Sequence, residues 1–533
     1  MDIVKCAVLA LLETYPLALV QPGCRNSFWQ IWVVLLLVQY LTLKCYNIFI
    51  YPHLVSPLKD LPGPKDSTPF FGQFLKEISA VPADPQISWM RENPSADLIR
   101  YLGFANSDNV LLVSPQAHRE FMHTKCYDFV KPEIFRRLVS GITGIGLLFL
   151  EGEEHKHHRK LLTGPFSVSN AKNVIPLLEA KAQELCAVLT AKLQKDPNSP
   201  LEVLDTFSAV ALDIIGTVSI GLELDSLTTS SPFAESYKKV FDFSPMAQVM
   251  AVLNMYIPVR KWLPLKVNKD FVSGNATVKK LLSKEVSKKR QLIMENGDVC
   301  SYEGSNGKNL LRRDLLTLMF EETAGKPDAW TEDRILGHLL TFMSAGHETT
   351  AVILAWSALI LGQHPDMQTR LRTEVATVPA KLSFEEIESL SYLNNFTNEV
   401  LRYYPPSFSQ PREAAHDVYI CGQLIPKGTV VSCFPRSLHF NPTVWGDHAE
   451  KFDPDRWDNL PPPAKDPFAF QTFTTGPRVC IGKTLAILEI KVLLARLVQH
   501  FEFESTEGEL VPNKGGLTLR PSGGAKVTMK IIA

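Results

Sequence analysis

A mainly α fold with minor β-sheets, one large domain behind an N-terminal transmembrane helix, is what the sequence predicts. Three observations carry it. The stretches 169–196, 278–293, 331–363 and 384–403 repeat apolar residues at helical spacing. β-like alternation is confined to 98–113, 417–433 and the C-terminal 525–532. Residues 28–43, FWQIWVVLLLVQYLTL, carry no charge.

The N-terminal run resumes after Lys44 and continues through Tyr51. With Lys44 snorkelling, 28–51 supplies the ~20 residues that cross a bilayer as one helix. Phe28, Trp29, Trp32, Tyr40 and Tyr46 suit its interfaces. The earlier apolar stretch 6–20 holds Glu13 and Pro16, which weakens it as a second span. A single-pass anchor with the domain in the cytosol is therefore expected. The basic bias behind that orientation is slight, with Lys44, Lys59 and Lys65 after the run and Lys5 and Arg25 before it. The sequons at Asn275 and Asn395 are then expected to stay unmodified. Leu61-Pro62-Gly63-Pro64, followed by Pro69 and Gly72, reads as a stiff hinge. The chain thus divides into an anchor region 1–51, a proline-rich hinge 52–74 and a domain 75–533.

No Gly/Ser/Pro-rich linker divides the chain after residue 75, and no internal repeat is visible. The polar, Gly-rich 295–309 reads as a surface loop. Of the 533 residues, 45% are hydrophobic and 21% charged, which excludes a disordered scaffold and allows a sizeable core. A formal net charge of −1 gives no electrostatic case for a nucleic-acid partner. The nine cysteines are odd in number and contain no CxxC pair, against a disulfide framework or a zinc ribbon.

One cysteine stands out. Phe473-Thr-Thr-Gly476-Pro-Arg478-Val-Cys480-Ile-Gly482 runs straight into the helical pattern KTLAILEIKVLLARLVQ. A cysteine just before a helix sits where backbone N–H groups and the positive dipole end favour its thiolate. The two glycines let the backbone fold tightly around the sulfur, so the loop presents one soft ligand to a metal. This segment resembles the haem-binding loop of the cytochrome P450 family. The resemblance implies Cys480 as the axial thiolate on the iron of haem b, with Phe473 in the same loop and Arg478 on a haem propionate.

Further segments fall in the family's order. Glu399-Val-Leu-Arg402 places a carboxylate and a guanidinium on one helix face. Phe452-Asp-Pro-Asp-Arg456-Trp457 resembles the family segment whose arginine joins that pair. Glu399, Arg402 and Arg456 are read as a buried structural network, not as catalytic groups. Ala345-Gly346-His347-Glu348-Thr349-Thr350 lies mid-way along the 331–363 stretch, where glycine and paired threonines weaken a helix and invite local opening. By the family match Thr349 stabilises bound oxygen species and Glu348 relays protons, while His347 points elsewhere. Arg412, in Gln410-Pro411-Arg412-Glu413, falls where the family has a second propionate arginine. Glu151-Gly-Glu-Glu-His155-Lys-His-His158-Arg159-Lys160 resembles the family's W-x-x-x-R helix, with Arg159 aligned and His155 at the tryptophan position. A zinc site on the three histidines lacks the carboxylate pairing such sites show. The basic face Lys156, Arg159 and Lys160, with Lys483, suits an acidic electron donor.

The resemblance covers the chain after the anchor and implies a microsomal, reductase-dependent monooxygenase of the endoplasmic reticulum membrane. No flavin or nicotinamide fingerprint is present. Electrons are therefore expected from NADPH through a separate cytochrome P450 reductase, with cytochrome b5 as a second donor. By family position the pocket draws on 127–149, 238–256, Phe342, Ala345, Ser407 to Gln410, Leu517 and Thr518. Phe149, Phe241, Phe243 and Phe408 make it apolar, so a lipophilic substrate reached from membrane lipid is expected. The style resembles fungal members acting on terpenoid, polyketide or alkaloid intermediates of secondary metabolism. The alternatives are fatty-acid or xenobiotic hydroxylation, a haem-thiolate isomerase or dehydratase, and a membrane haem sensor or carrier.

Overall fold

The computed structural model describes residues 2–20, 27–196, 199–229, 231–242, 244–296, 314–322, 331–379, 382–504 and 508–532. Arg25, Phe243 and nearly all of the 295–309 segment lie outside them.

Helix α1 (Asp2–Val20) packs against α2 (Phe28–Cys45), which continues as a wider π-type helix through Tyr46–Val55. Cys6, Ala10 and Thr14, four residues apart, are the buried seam of α1. Trp32 Nε1 donates to Ala7 O at 3.0 Å and Gln39 Nε2 to Glu13 Oε2 at 2.7 Å. Both contacts advance in the same sense along the two helices. Consecutive bilayer spans run in opposite senses, so this register is not that of a two-span hairpin. The Phe28–Val55 run is long and apolar enough to cross a membrane, and no residue of its helical part Phe28–Cys45 is buried.

The hinge residues pack rather than dangle. Arg100 N donates to Pro62 O at 2.8 Å, and a Cβ on Gly63 would lie 1.8 Å from Arg100 O. They rest on a five-stranded sheet of order β1-β2-β8-β5-β3, namely β1 (Leu98–Leu102), β2 (Asp108–Leu112), β3 (Phe129–Val130), β5 (Gln410–Ala414) and β8 (Val430–Cys433). The β2–β8 pair is parallel and joins the two ends of the chain. A three-stranded sheet pairs β4 (Leu201–Glu202), β10 (Lys526–Ile531) and β9 (Phe501–Glu504). A hairpin joins β6 (Val418–Ile420) and β7 (Gln423–Ile425).

Among the further helices, which enclose a long central one, are α3 (Glu133–Thr143), α4 (Gly152–Thr163), α5 (Val168–Lys195), α6 (Val203–Ile220), α7 (Pro232–Val240), the central α8 (Glu332–Gln363), α9 (Ser391–Tyr403) and α10 (Lys483–His500). Thr331 caps the central α8, its side chain accepting from Arg334 N, with Glu332 and Asp333 in the first turn. α6 is apolar enough to cross a membrane, but 83% of it is buried, because it packs on α8 as the core. The 384–403 pattern is two helices, not one. The chain breaks at Leu390, where Tyr392 N and Leu393 N both donate to the Glu374 carboxylate, an anionic cap that starts α9 anew.

Candidate active site

The cysteine loop is tied at both ends of its turn. Cys480 N donates to Phe473 O at 2.8 Å, and Thr474 Oγ1 to Arg478 O at 3.0 Å. Gly476 has φ +72°, and a Cβ there would lie 2.2 Å from Met122 O, so only glycine serves. Gly482 then caps α10. Cys480 is accessible at its surface, with protein packed densely behind it. Burial pushes its thiol pKa up, against the lowering pull of the Gly482 N–H, Arg159 and Lys483. The lowering groups expected at a helix start are present, but burial outweighs them in the thiol form.

A cluster of cations lies beside the loop. Arg412, Arg478 and Lys131 are buried together, with Glu151 paired to Arg478 and 3.9 Å from Lys131 Nζ. Burial and repulsion from Arg412 and Arg478 hold the Lys131 pKa well below its usual value. The same two causes, burial first and then Arg478, push Arg412 down to about 10. Arg412 Nη1 and Arg478 Nε have no hydrogen-bond partner among the described residues. His155 is pushed down to about 3 by burial, then by Arg478 and Lys131. Its Nδ1 lies 3.0 Å from the Tyr127 hydroxyl. Arg159 is turned to the cysteine loop instead, where Nη1 donates to Val479 O at 2.7 Å. His155 and His158 point to different partners, so the three histidines of α4 do not converge.

Behind the loop, Glu399 and Arg402 form a bidentate pair with 2.8 Å contacts, both fully buried. Arg456 Nε, Asp453 N and Trp457 Nε1 all donate to the same carboxylate. Arg402 Nη1 donates to His439 O and Ala449 O. His439 in turn accepts from Gln471 N at 2.9 Å, and Thr472 Oγ1 donates to Leu401 O at 2.7 Å. The network therefore holds the first residues of the cysteine segment.

On α8 the helix is continuous through Ala345–Thr350 rather than opened. Thr349 Oγ1 donates back to Ala345 O at 2.7 Å, and Thr350 Oγ1 to Gly346 O at 3.1 Å. Gly346 has a packing cause: a Cβ there would lie 2.7 Å from Ile215 Cγ1 on α6. Ala345 is exposed and Thr349 half-buried in the middle of α8, where most neighbouring residues are buried. Glu348 turns to the C-terminal strand region, accepting from Thr518 Oγ1 at 2.7 Å and Arg520 Nε at 2.5 Å. His347 is buried edge-on to Tyr237 and Phe241.

With this geometry in hand, comparison with known proteins is decisive. The cytochrome P450 family model matches residues 62–529. The chain belongs to the cytochrome P450 family. It is 30% identical to the cytochrome P450 monooxygenase FUM15 of Gibberella moniliformis, over 92% of this chain and 91% of that protein. It is 31% identical to the cytochrome P450 monooxygenase sphH of Aspergillus fumigatus, over 90% and 89%. ALT8 of Alternaria alternata, also a cytochrome P450 monooxygenase, is 28% identical over 96% and 93%. This P450 is an oxidoreductase of the monooxygenase class, and the family implies haem, O2 and electrons from a reductase.

The residues present fit a haem. Buried cations with unpartnered N–H groups call for anions, and a haem carries two carboxylates. An accessible cysteine in a glycine-lined loop at a helix start has the donor chemistry of an axial thiolate. Sequence reasoning placed Tyr127, Lys131 and Thr518 among pocket residues and quoted Glu151 and Trp457 within motif segments, but assigned none of them, nor His439 or Arg520, to these contacts. A lysine or a tyrosine in a loop carries no spacing signal. Phe149 also differs from expectation: it is buried under the Arg136 guanidinium, with the cation 5.7 Å from its ring centre, and does not line an open wall.

Proposed function

We propose that this P450 is a haem-thiolate monooxygenase inserting one oxygen atom from O2 into a lipophilic intermediate of fungal secondary metabolism, of terpenoid, polyketide or alkaloid type. The observation that carries the haem reading is the accessible Cys480 beside a buried, under-neutralised cationic cluster. Bound haem supplies oxygen activation. Cys480 Sγ would ligate its iron. Arg412 and Arg478, with Lys131 and His155 beside them, hold its carboxylates through the N–H groups the protein leaves unpartnered. Thr349 offers a hydroxyl beside the exposed Ala345 of α8, and Glu348 keeps a carboxylate behind it as the proton-handling group.

The substrate reading draws on the walls. Phe166 and Phe342 meet at 5.1 Å, Phe408 is half-buried, and Ile145 and Ala345 are exposed among buried neighbours. Apolar walls with few charges suit a lipophilic molecule, and similarity to monooxygenases of three fungi favours a fungal metabolite. Electrons come from NADPH through cytochrome P450 reductase, with cytochrome b5 assisting, at the basic face of Lys156, Lys160 and Lys483. The Phe28–Val55 segment anchors the protein in the endoplasmic reticulum membrane by a single pass, with the catalytic domain cytosolic. A Soret titration of lipid-reconstituted protein tests the substrate class. A saturable high-spin shift with polycyclic terpenoid or polyketide scaffolds is expected; a shift with long-chain fatty acids alone overturns the biosynthetic reading.

A further inference from the structure

Two buried histidines have no part in the reading so far. His338 on α8 and His158 on α4 are 1% and 3% exposed. Their rings meet, His158 Nδ1 lying 3.0 Å from His338 Nε2. On the far side of His338, the Leu147 backbone N–H donates to Nδ1 at 3.1 Å. A backbone N–H only donates, so Nδ1 is the bare nitrogen, and the neutral ring carries its proton on Nε2 toward His158. Burial, then His158 and Arg334, push His338 down to about 3, which keeps that ring neutral. On its other side His158 Nε2 lies 2.8 Å from Arg334 Nη1, and Glu154 takes that guanidinium at 2.7 Å.

Leu147 belongs to a stretch fixed against α8 at two other points. Thr341 Oγ1 donates to Thr143 O at 2.9 Å. Gly146 and Gly337 approach so closely that a Cβ on Gly146 would lie 2.3 Å from Gly337 O. Three residues beyond Leu147, Leu150 O accepts from Arg478 Nη1 at 3.0 Å, and Glu151 pairs with the same guanidinium. The place of Leu147 is therefore passed on to the cysteine-loop arginine.

We propose that His338 and His158 are positioning residues: a two-ring strut between α8 and α4 that fixes the 146–151 stretch and, through it, the Arg478 guanidinium. The proposal rests on the reading of Arg478 as a holder of a haem carboxylate.

The test uses full-length holoenzyme and two readouts besides turnover: haem release to excess apomyoglobin, and deuterium exchange of the 146–151 peptide. His338→Phe keeps a ring but removes the acceptor for Leu147 N–H. Haem release should rise about tenfold, as for loss of other groups that orient a cofactor's holders, with faster exchange at 146–151. In His338→Asn, Oδ1 takes the place of Nδ1, and both readouts should return toward wild type. Wild-type release in His338→Phe, or no rescue by His338→Asn, overturns the proposal. Should His338→Phe not fold, His158→Phe removes only the outer ring; faster release there supports the strut and unchanged release overturns it. If Arg478→Ala leaves haem release unchanged, what fails is the reading of Arg478, a result distinct from failure of the histidines.

Discussion

Glu348 shows how much of a residue's chemistry is set by distant partners. Its carboxylate is nearly fully buried, and the donors that hold it, Thr518 and Arg520, come from the far end of the chain. A buried carboxylate is tolerable only while it is paired and hydrogen-bonded. Arg520→Gln should lower the fraction of consumed oxygen that appears as product by about tenfold, less than the roughly hundredfold or more that losing a positioned acid outright costs. Thr518→Val, which removes one donor and keeps the ion pair, should have a smaller effect. Parallel assays of NADPH oxidation and product check this, and unchanged coupling in Arg520→Gln would mean Glu348 does not handle protons. The acid itself was legible in the sequence because Gly346, Glu348 and Thr349 stand at fixed spacing. Its partners were not, since nothing local marks Arg520 as close to residue 348.

At the scale of elements, close approach decides where α8 can be glycine and where it must be. At Gly346 an added Cβ meets the Ile215 side chain, 2.7 Å away at the nearest atom. At Gly337 it meets the Ile145 backbone carbonyl at 2.6 Å, and backbone gives less readily than a side chain. Alanine gains about 1 kcal/mol of helix propensity at either site, against overpacking that costs roughly 1–3 kcal/mol. Gly337→Ala should therefore destabilise clearly more than Gly346→Ala in urea unfolding; equal midpoints would refute the ordering. The α9 network gives a second prediction. Glu399→Gln keeps the shape but leaves Arg402 and Arg456 buried without their counter-charge, so it should cost roughly 3–5 kcal/mol. A loss below about 1 kcal/mol in the same assay would place the network at the surface in energetic terms. The helices were readable from periodicity, since the apolar face of α8 or α5 repeats along the chain itself. The break at Leu390 was not, because it is made by the Glu374 side chain from another helix.

For the whole molecule, buried neutral histidines predict sensitivity to acid. His118, His338 and His439 are pushed down to about 4, 3 and 3, chiefly by burial. Each ring stays neutral in the folded chain but takes a proton in the unfolded one below about pH 6.5. Stability is therefore lost as pH falls from 6.5 toward 4, by up to about 1.4 kcal/mol per pH unit for each ring. Urea midpoints of the holoenzyme should be level above pH 7 and drop steadily from 6.5 to 4.5; a flat profile there contradicts the buried-neutral assignment. Membrane attachment also belongs to this scale. Met246, Val249, Leu253 and Trp262 are exposed on the body of the domain. A variant lacking residues 1–55 should thus leave the membrane pellet only in part, whereas full release would confine attachment to the N-terminal helices. The fold class was open to sequence reading because one motif after another sits in family order. The cationic cluster was legible at Arg412 and Arg478, whereas the part of Lys131 and of Glu151 in it was not, since no motif ties either residue to those arginines.

The central claim, that Cys480 is the thiolate ligand of a haem, is tested most directly by the absorption spectrum of the reduced carbon monoxide complex. The account predicts the red-shifted Soret band of thiolate ligation in the wild-type protein and its loss in Cys480→Ser, with circular dichroism unchanged. Persistence of that band in Cys480→Ser would assign the iron to another ligand and contradict the account.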